Sequence, residues 1–195
     1  MANKISRRDF LCGSAATLAG TVLFHGLPVL ASEDELYDSI VIGIIAEIDS
    51  LNPTDYNAGC KPYVGSEIYE ALFDIDGFGG EMYPVLAKGY TIIDDPHYQV
   101  ELYDYITDSN GNAITASDVV FCFQHVAEEG TNTTLTSYME SVEAIDDYTV
   151  EFTWTTAPEP VGDLEAMFAK VWIYSQAAFE ASTDGFATQP VATGP

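Results

Sequence analysis

The chain of 195 residues carries 31 acidic and 6 basic side chains, which gives a formal net charge of −25. Phosphate backbones and anionic lipid headgroups would repel such a surface, so the charge argues against nucleic acid or a membrane surface as a partner. Apolar residues make up 47% of the chain and aromatic residues 12%, more than a disordered tail carries. The composition therefore predicts a folded, acidic globular protein. From residue 32 onward the imbalance is sharper, with 30 acidic side chains against three lysines.

The first 31 residues have the pattern of an export signal. A basic start precedes an apolar stretch that is too polar and too broken for a membrane-spanning helix. The run Ser6–Leu11 (SRRDFL) resembles the twin-arginine export signal, whose paired arginines are recognised by a receptor. We therefore predict that Arg7, Arg8 and Phe10 belong to this signal and that the twin-arginine translocase is a partner during export. An ordinary secretory signal with a chance pair of arginines is the alternative.

Cleavage of the signal is predicted between Ala31 and Ser32, where the side chains are small enough for a signal peptidase. A bacterial lipobox needs a cysteine at the cleavage point. Ala31 and Ser32 supply none, and Cys12 lies at the wrong end of the apolar stretch. We expect an exported protein on the periplasmic or extracellular face of the cell envelope.

The chain after the signal opens with a predicted strand, a loop and a helix. Ser39–Ala46 (SIVIGIIA) is a continuous apolar run, as in a strand buried on both faces. The sequence Leu51-Asn52-Pro53 begins a loop, because Pro53 forces the preceding residue to be extended. Apolar residues then recur at helical spacing over residues 64–72, which predicts an amphipathic helix.

Two β-hairpins are predicted further along the chain. The first joins residues 89–94 to 97–103 through Asp95-Pro96, and the second joins 142–146 to 148–154. In the second strand of each hairpin, apolar and polar residues alternate strictly, which is typical of a strand with one buried face. Those apolar faces need a partner layer, which helices can supply.

A helix is predicted between the hairpins. Asn110-Gly111 favours a tight turn, and the run Thr115–Asp118 (TASD) fits a capping box, with a hydroxyl at the N-cap and an acid three residues later. The predicted apolar face of this helix consists of Val119, Cys122, Phe123 and Val126. A shorter helix around Leu164–Ala169 and a strand over Val171–Tyr174 complete the pattern. The order of elements predicts an α+β fold with a mixed sheet.

The sequence predicts no catalytic or metal site. His97 and His125 are 28 residues apart, without a third ligand at the spacing that zinc requires, so we interpret them as surface or second-layer residues. Neighbouring acids in the hairpin turns are interpreted as solvated. A buried free thiol is favoured for Cys122 over a disulfide with Cys60. The motifs of serine hydrolases, phosphate-binding loops and dinucleotide folds are absent from the sequence, and we expect neither an enzyme nor a cofactor.

Six short motifs between residues 51 and 195 occur in an informative order. They are Leu51-Asn52-Pro53, Ile68–Phe73 (IYEALF), Pro84–Tyr90 (PVLAKGY), Asn110–Phe121 (NGNAITASDVVF), Val142–Trp154 and Ala192–Pro195 (ATGP). Together they resemble the family 5 extracellular solute-binding proteins, the peptide- and nickel-type receptors of ABC importers. The chain departs from the family pattern at two places. Asn52 replaces the usual Asp, and Tyr103-Asp104 replaces the common Leu-Arg.

The resemblance implies a fold and a division of the chain. The implied fold is the N-terminal portion of a two-lobed, type II periplasmic binding protein, with a mixed sheet, β-hairpins and packed helices. Residues 1–31 would be the signal, 32–63 and 176–195 parts of the first large lobe, and 64–175 a hairpin-rich subdomain of that lobe. Because family members are more than twice as long, we expect the second lobe to be missing from this chain.

The resemblance also implies binding rather than catalysis. In the family, two lobes close on a ligand by hinge motion, and the closed form docks on an ABC permease in the membrane. The implied ligand is most often an oligopeptide, with nickel chelates, haem and oligosaccharides as alternatives. The loop after Pro53 borders the cleft in the family, so Tyr56 and Asn57 are the predicted ligand contacts. A solvated loop is the alternative for these two residues.

Two functions from other classes remain open from the sequence. One is a secreted enzyme exported by the twin-arginine route, motivated by the signal and by His97 and His125. The other is a small acidic interaction module, which requires residues 32–195 to fold alone. The turn sequence Gly194-Pro195 at the end of the chain argues against such a module.

Overall fold

The computed structural model describes residues 43, 47–54, 61–76, 80–129, 136–159 and 164–194. All of them lie in one compact unit that extends from Gly43 to the end of the chain. The predicted export signal, its cleavage site and the predicted ligand contacts Tyr56 and Asn57 lie outside the described residues. The predicted strand 39–46 also lies outside them, apart from Gly43.

The main sheet consists of the two predicted hairpins. The strands β4 (Ala87–Asp94), β5 (His97–Leu102), β6 (Met139–Asp146) and β7 (Thr149–Trp154) are arranged in the order β4-β5-β7-β6, and every neighbouring pair is antiparallel. The alternation predicted from the sequence is confirmed. The inner face buries Tyr98, Val100 and Leu102 from β5 and Val150, Phe152 and Trp154 from β7.

Helix α2 (Ala116–Glu129) covers the inner face of this sheet. The predicted apolar residues Val119, Cys122, Phe123 and Val126 are all buried, and the rings of Phe123 and Phe152 meet edge to face at 4.8 Å. The capping box is present in part. Asp118 Oδ2 accepts the backbone N–H of Thr115 at 2.8 Å, and the Thr115 hydroxyl donates to the same oxygen at 3.0 Å, where a capping box would have it accept an N–H.

The predicted helix over residues 64–72 is wrong beyond its first residues. Helix α1 covers only Lys61–Gly65, and the chain continues into the short strands β1 (Glu70–Ala71) and β2 (Phe73–Ile75). Strand β1 pairs antiparallel with β8 (Trp172–Ile173), and β2 pairs antiparallel with β3 (Met82–Pro84). Pairing with residues about 100 positions away has overridden the local helical spacing.

The remaining helices in the described part of the chain are short, and they pack against β2 and α2. They are α3 (Glu165–Phe168) and α4 (Gln176–Ala181), and the Ser175 hydroxyl caps α4 by accepting the N–H of Ala178 at 3.3 Å. The buried Phe168 ring packs against the rings of Phe73 and Phe152. The α+β class is confirmed, although every strand pair among the described residues is antiparallel, which differs from the mixed sheet expected from the sequence.

Among the described residues, no helix combines the length and the apolar character that a membrane span requires.

Candidate ligand-binding site

The chain is fixed in place just before the loop predicted to contact ligand. The Asn52 side-chain oxygen accepts both the N–H and the hydroxyl of Thr54, each at 2.9 Å. The N–H of Leu51 donates to the carbonyl of Ala187 at 2.9 Å, and the hydroxyl of Tyr69 donates to the carbonyl of Leu51 at 3.1 Å. Asn52, which departs from the family's usual Asp, thus has a clear structural role as a turn residue.

The chain after the loop is fixed by an aromatic contact. Gly65, the last residue of α1, is buried, and a Cβ atom added there would lie 2.0 Å from the indole ring of Trp172. Only a glycine allows the backbone to approach the ring this closely. Tyr56 and Asn57 therefore belong to a short segment whose flanks at 51–54 and at Gly65 are both packed, but ligand contact by these two residues stays a prediction.

Residues near the end of the chain join the same region. The Thr193 hydroxyl accepts the N–H of Glu70 at 3.1 Å and donates to the carbonyl of Ile173 at 2.6 Å. The N–H of Gly194 donates to the carbonyl of Ile68 at 2.9 Å, and a Cβ atom at Gly194 would lie only 2.6 Å from that carbonyl oxygen. The motif Ala192–Pro195 therefore has a packing role that its glycine and threonine explain.

A cavity of about 430 Å³ lies beside β1. The residues lining it include Tyr69, Glu70, Phe73, Asp74, Tyr83 and Trp172. The rings of Tyr69 and Trp172 stack with their centroids 5.7 Å apart. The cavity thus combines an aromatic wall with two carboxyl groups, and mixed apolar and polar linings of this kind are typical of small-ligand sites.

The electrostatics of this cavity are set by its carboxyl groups. Burial raises the pKa of the half-buried Glu70 carboxyl above its ordinary value. The exposed Tyr83 hydroxyl donates to Asp74 Oδ2 at 2.6 Å, and this hydrogen bond is the main reason that the pKa of Tyr83 is raised. Burial also raises the pKa of the Tyr69 phenol, so this hydroxyl stays a neutral donor to Leu51.

The structure places the two histidines in separate surroundings. His97 Nδ1 lies 2.6 Å from Asp94 Oδ1 at the exposed end of the first hairpin. His125 Nδ1 lies 2.7 Å from the Tyr174 hydroxyl, and its Nε2 lies 3.4 Å from Glu129 Oε2. In the part of the chain that the structure describes, no group of three potential metal ligands occurs.

Cys122 is a buried free thiol, as predicted. Its Sγ atom lies 3.3 Å from both the carbonyl oxygen and the backbone nitrogen of Tyr174, the residue that follows β8. Burial raises the pKa of this thiol well above its ordinary value, so it carries little nucleophilic thiolate. Cys60 lies outside the described residues.

Glu70, Trp172 and Thr193 were not predicted as site residues from the sequence. A helix over 64–72 would have placed Glu70 on a solvated face, whereas in strand β1 it meets residues from 172 to 193. The motif IYEALF contains the residues of this wall of the cavity, but nothing in the local pattern shows which distant residues they meet.

Comparison with known proteins identifies the kind of protein. The family model for bacterial extracellular solute-binding proteins, family 5 (middle part), matches residues 81–195. No curated protein sequence matches the chain. Among solved structures, OppA of Burkholderia pseudomallei matches with a TM-score of 0.67 and 23% identity, over 77% of this chain and 33% of that one.

Two further structures show the same fold. OppA of Listeria monocytogenes, bound to peptide, matches with a TM-score of 0.69 and 20% identity, over 77% of this chain and 34% of that one. MoaA from A. tumefaciens R10, in complex with mannopinic acid, matches with a TM-score of 0.67 and 25% identity, over 76% of this chain and 31% of that one. The chain spans about a third of the length of these proteins.

The described unit therefore has the fold of part of a two-lobed periplasmic binding protein. The chain belongs to the bacterial extracellular solute-binding proteins of family 5, since the family model covers more than half of it. The family resemblance drawn from the order of six short motifs is confirmed.

Proposed function

We propose that this chain is part of the peptide-binding receptor of an ABC importer. The family match over residues 81–195 carries the proposal, because the matching family consists of solute-binding proteins and not of enzymes. The two OppA proteins of the same fold support a peptide as the solute, and one of them is described as bound to peptide. The partner of the closed receptor is a permease in the membrane.

The proposed division of the chain follows from the same family. Residues 32–63 and 176–195 belong to the first large lobe, residues 64–175 form a hairpin-rich subdomain, and the second lobe is supplied by sequence beyond residue 195. The proposal is supported by the chain's coverage of about a third of each solved relative. Sequencing the DNA beyond codon 195 tests it. An uninterrupted reading frame that encodes a second lobe is expected, and a stop codon directly after Pro195 would contradict it.

The proposed mechanism is closure of two lobes around the peptide. Tyr56 and Asn57 contact the ligand from a segment whose flanks are fixed, by Asn52 and Tyr69 on one side and by Gly65 on the other. Fixed flanks favour affinity because less conformational entropy is lost when the loop closes on a ligand. The closed form is then the one that docks on the permease.

The proposed route to the cell envelope is twin-arginine export followed by cleavage between Ala31 and Ser32. N-terminal sequencing of the exported protein tests the cleavage site. Replacing Arg7 and Arg8 together by lysine should leave the precursor in the cytoplasm, whereas continued export would show that an ordinary secretory signal operates.

Peptide binding itself is tested with the full-length gene product. The protein is incubated with a pool of di- to pentapeptides and passed through a gel-filtration column, and mass spectrometry identifies the peptides that remain bound. Retention of peptides, with no retention from a matched pool of free amino acids, is the expected result. If the protein retains neither peptides nor free amino acids, the peptide proposal is contradicted.

A further inference from the structure

The cavity beside β1 has the composition of a site for an organic cation. Its volume is about 430 Å³, which is ample for one long side chain. Tyr69, Trp172 and Phe73 are aromatic residues of its lining and are more than nine-tenths buried, while Glu70 and Asp74 supply carboxyl groups. None of the described residues that line it is a lysine or an arginine, so the carboxyl groups have no basic neighbour in the lining.

The surroundings of the Glu70 carboxyl group favour a bound cation. Its side chain is half-buried, and burial alone raises its pKa. A carboxylate that loses water without gaining a partner is unfavourable in free energy, and a ligand cation would offset that cost. Among the described residues no basic side chain pairs with Glu70, and Lys88 pairs instead with Glu101 at 2.6 Å. Asp74 already accepts the hydrogen bond from Tyr83.

The backbone holds Glu70 rigidly at the cavity. Glu70 is paired with Ile173 in the β1–β8 ladder, and its N–H is bound by the Thr193 hydroxyl. Binding sites on strands are held more precisely than sites on loops, so little reorganisation is needed when a ligand arrives.

The aromatic wall suits the rest of a basic side chain. Tyr69 and Trp172 stack in a fixed arrangement, and Gly65 packs directly against the Trp172 ring. Aromatic faces attract cations and also pack against the methylene groups that carry an ammonium or guanidinium group.

The cavity is linked to the described chain that precedes the predicted ligand loop. Ser66 and Tyr69 both line it, and Tyr69 also donates a hydrogen bond to Leu51, at the entrance to the loop that contains Tyr56 and Asn57. Tyr69 thus joins the cavity to Leu51, which precedes Tyr56 and Asn57 by a few residues in the sequence.

We propose that this cavity is the subsite for a lysine or arginine side chain of the peptide ligand, with the Glu70 carboxylate as its counter-ion and Trp172 and Tyr69 against its methylene groups. The inference rests on the proposed function, because it assigns a preference to the same ligand.

The test uses the full-length gene product and two sets of alanine tetrapeptides. One set carries a single lysine at each position in turn, and the other carries norleucine, which has a similar length without the ammonium group. Isothermal titration is expected to show that at least one lysine peptide binds about tenfold or more tightly than its norleucine counterpart. Glu70→Gln should remove this difference. The matched control Glu67→Gln, an exposed acid three residues away, should retain it.

Each outcome is decisive. If peptides bind but lysine gives no advantage, or if Glu70→Gln retains the advantage, the subsite is wrong while the peptide receptor stands. If no tetrapeptide binds, n-butylammonium is titrated alone and followed by tryptophan fluorescence. Binding that Glu70→Gln abolishes would support the cation site and overturn the peptide receptor, and no binding would overturn both.

Discussion

The hydroxyl of Thr193 binds the backbone N–H of Glu70 at 3.1 Å, although the two residues are 123 positions apart in the sequence. The same hydroxyl donates to the carbonyl of Ile173 at 2.6 Å. One buried side chain thus ties both strands of the β1–β8 pair to the end of the described chain, and it fixes the backbone at the residue that we propose binds the ligand cation.

Thr193→Val should therefore destabilise the protein. Valine has nearly the same shape but leaves the Glu70 N–H and the Ile173 carbonyl without this partner, which costs about 1–3 kcal/mol for buried groups. Urea unfolding measures the change in the free energy of unfolding. Thr91→Val, at an exposed position of β4, is the control and should change it little. Equal stabilities for the two variants would contradict the role given to Thr193.

Gly194→Ala should be costly for a different reason. The new Cβ atom would lie 2.6 Å from the carbonyl oxygen of Ile68, a backbone atom that cannot move away cheaply, and the Gly194–Ile68 hydrogen bond at 2.9 Å would be disturbed. Overpacking of this kind costs about 1–3 kcal/mol. Gly89→Ala is the matched control, because no atom lies within 4 Å of a Cβ built there. If both variants unfold at the same urea concentration, the close approach at Gly194 does not contribute to the free energy of unfolding.

These contacts show what sequence patterns can and cannot supply. The hairpins and the cap of α2 were predicted, because the alternation over 97–103 and 148–154 and the spacing of Thr115 and Asp118 are local features. The helix over 64–72 failed because Glu70 pairs with Ile173, a distant contact that local spacing does not reveal. The cavity was missed for the same reason, since Glu70 and Trp172 meet only in the folded chain.

Glu70→Gln should raise the melting temperature near neutral pH. The pKa of Glu70 is raised in the folded state, so its ionised form is less stable in the folded than in the unfolded chain. Below the ordinary pKa of 4.5 the residue is protonated in both states and the penalty disappears. The advantage of the glutamine variant should therefore appear as the pH rises above the ordinary pKa, reach its full size above the raised pKa, and vanish in acid.

Calorimetry across this pH range measures the effect, with Glu67→Gln as a control that removes the same single negative charge. A glutamine advantage that is independent of pH, or equal in both variants, would show that the burial of Glu70 is not the cause. The ionised Glu70 side chain thus reduces the stability of the ligand-free protein, as binding residues often do.

Cys122 should resist alkylation in the folded protein. The thiol is fully enclosed, and burial raises its pKa, so both access and thiolate concentration are low. Peptide mapping by mass spectrometry after brief treatment with iodoacetamide separates Cys122 from Cys12 and Cys60. We expect Cys122 to be modified in concentrated urea and not in native buffer. Equal modification in both conditions would contradict its buried position on α2 against Tyr174.

The central claim is that this chain is one part of a receptor that closes around a peptide. Thermal unfolding of the full-length gene product, with and without a pool of di- to pentapeptides, tests it most directly, because a ligand that binds only the folded state raises the melting temperature. We predict an upward shift for the full-length protein and none for residues 32–195 alone. A melting temperature of the full-length protein that does not change with peptides would contradict the claim.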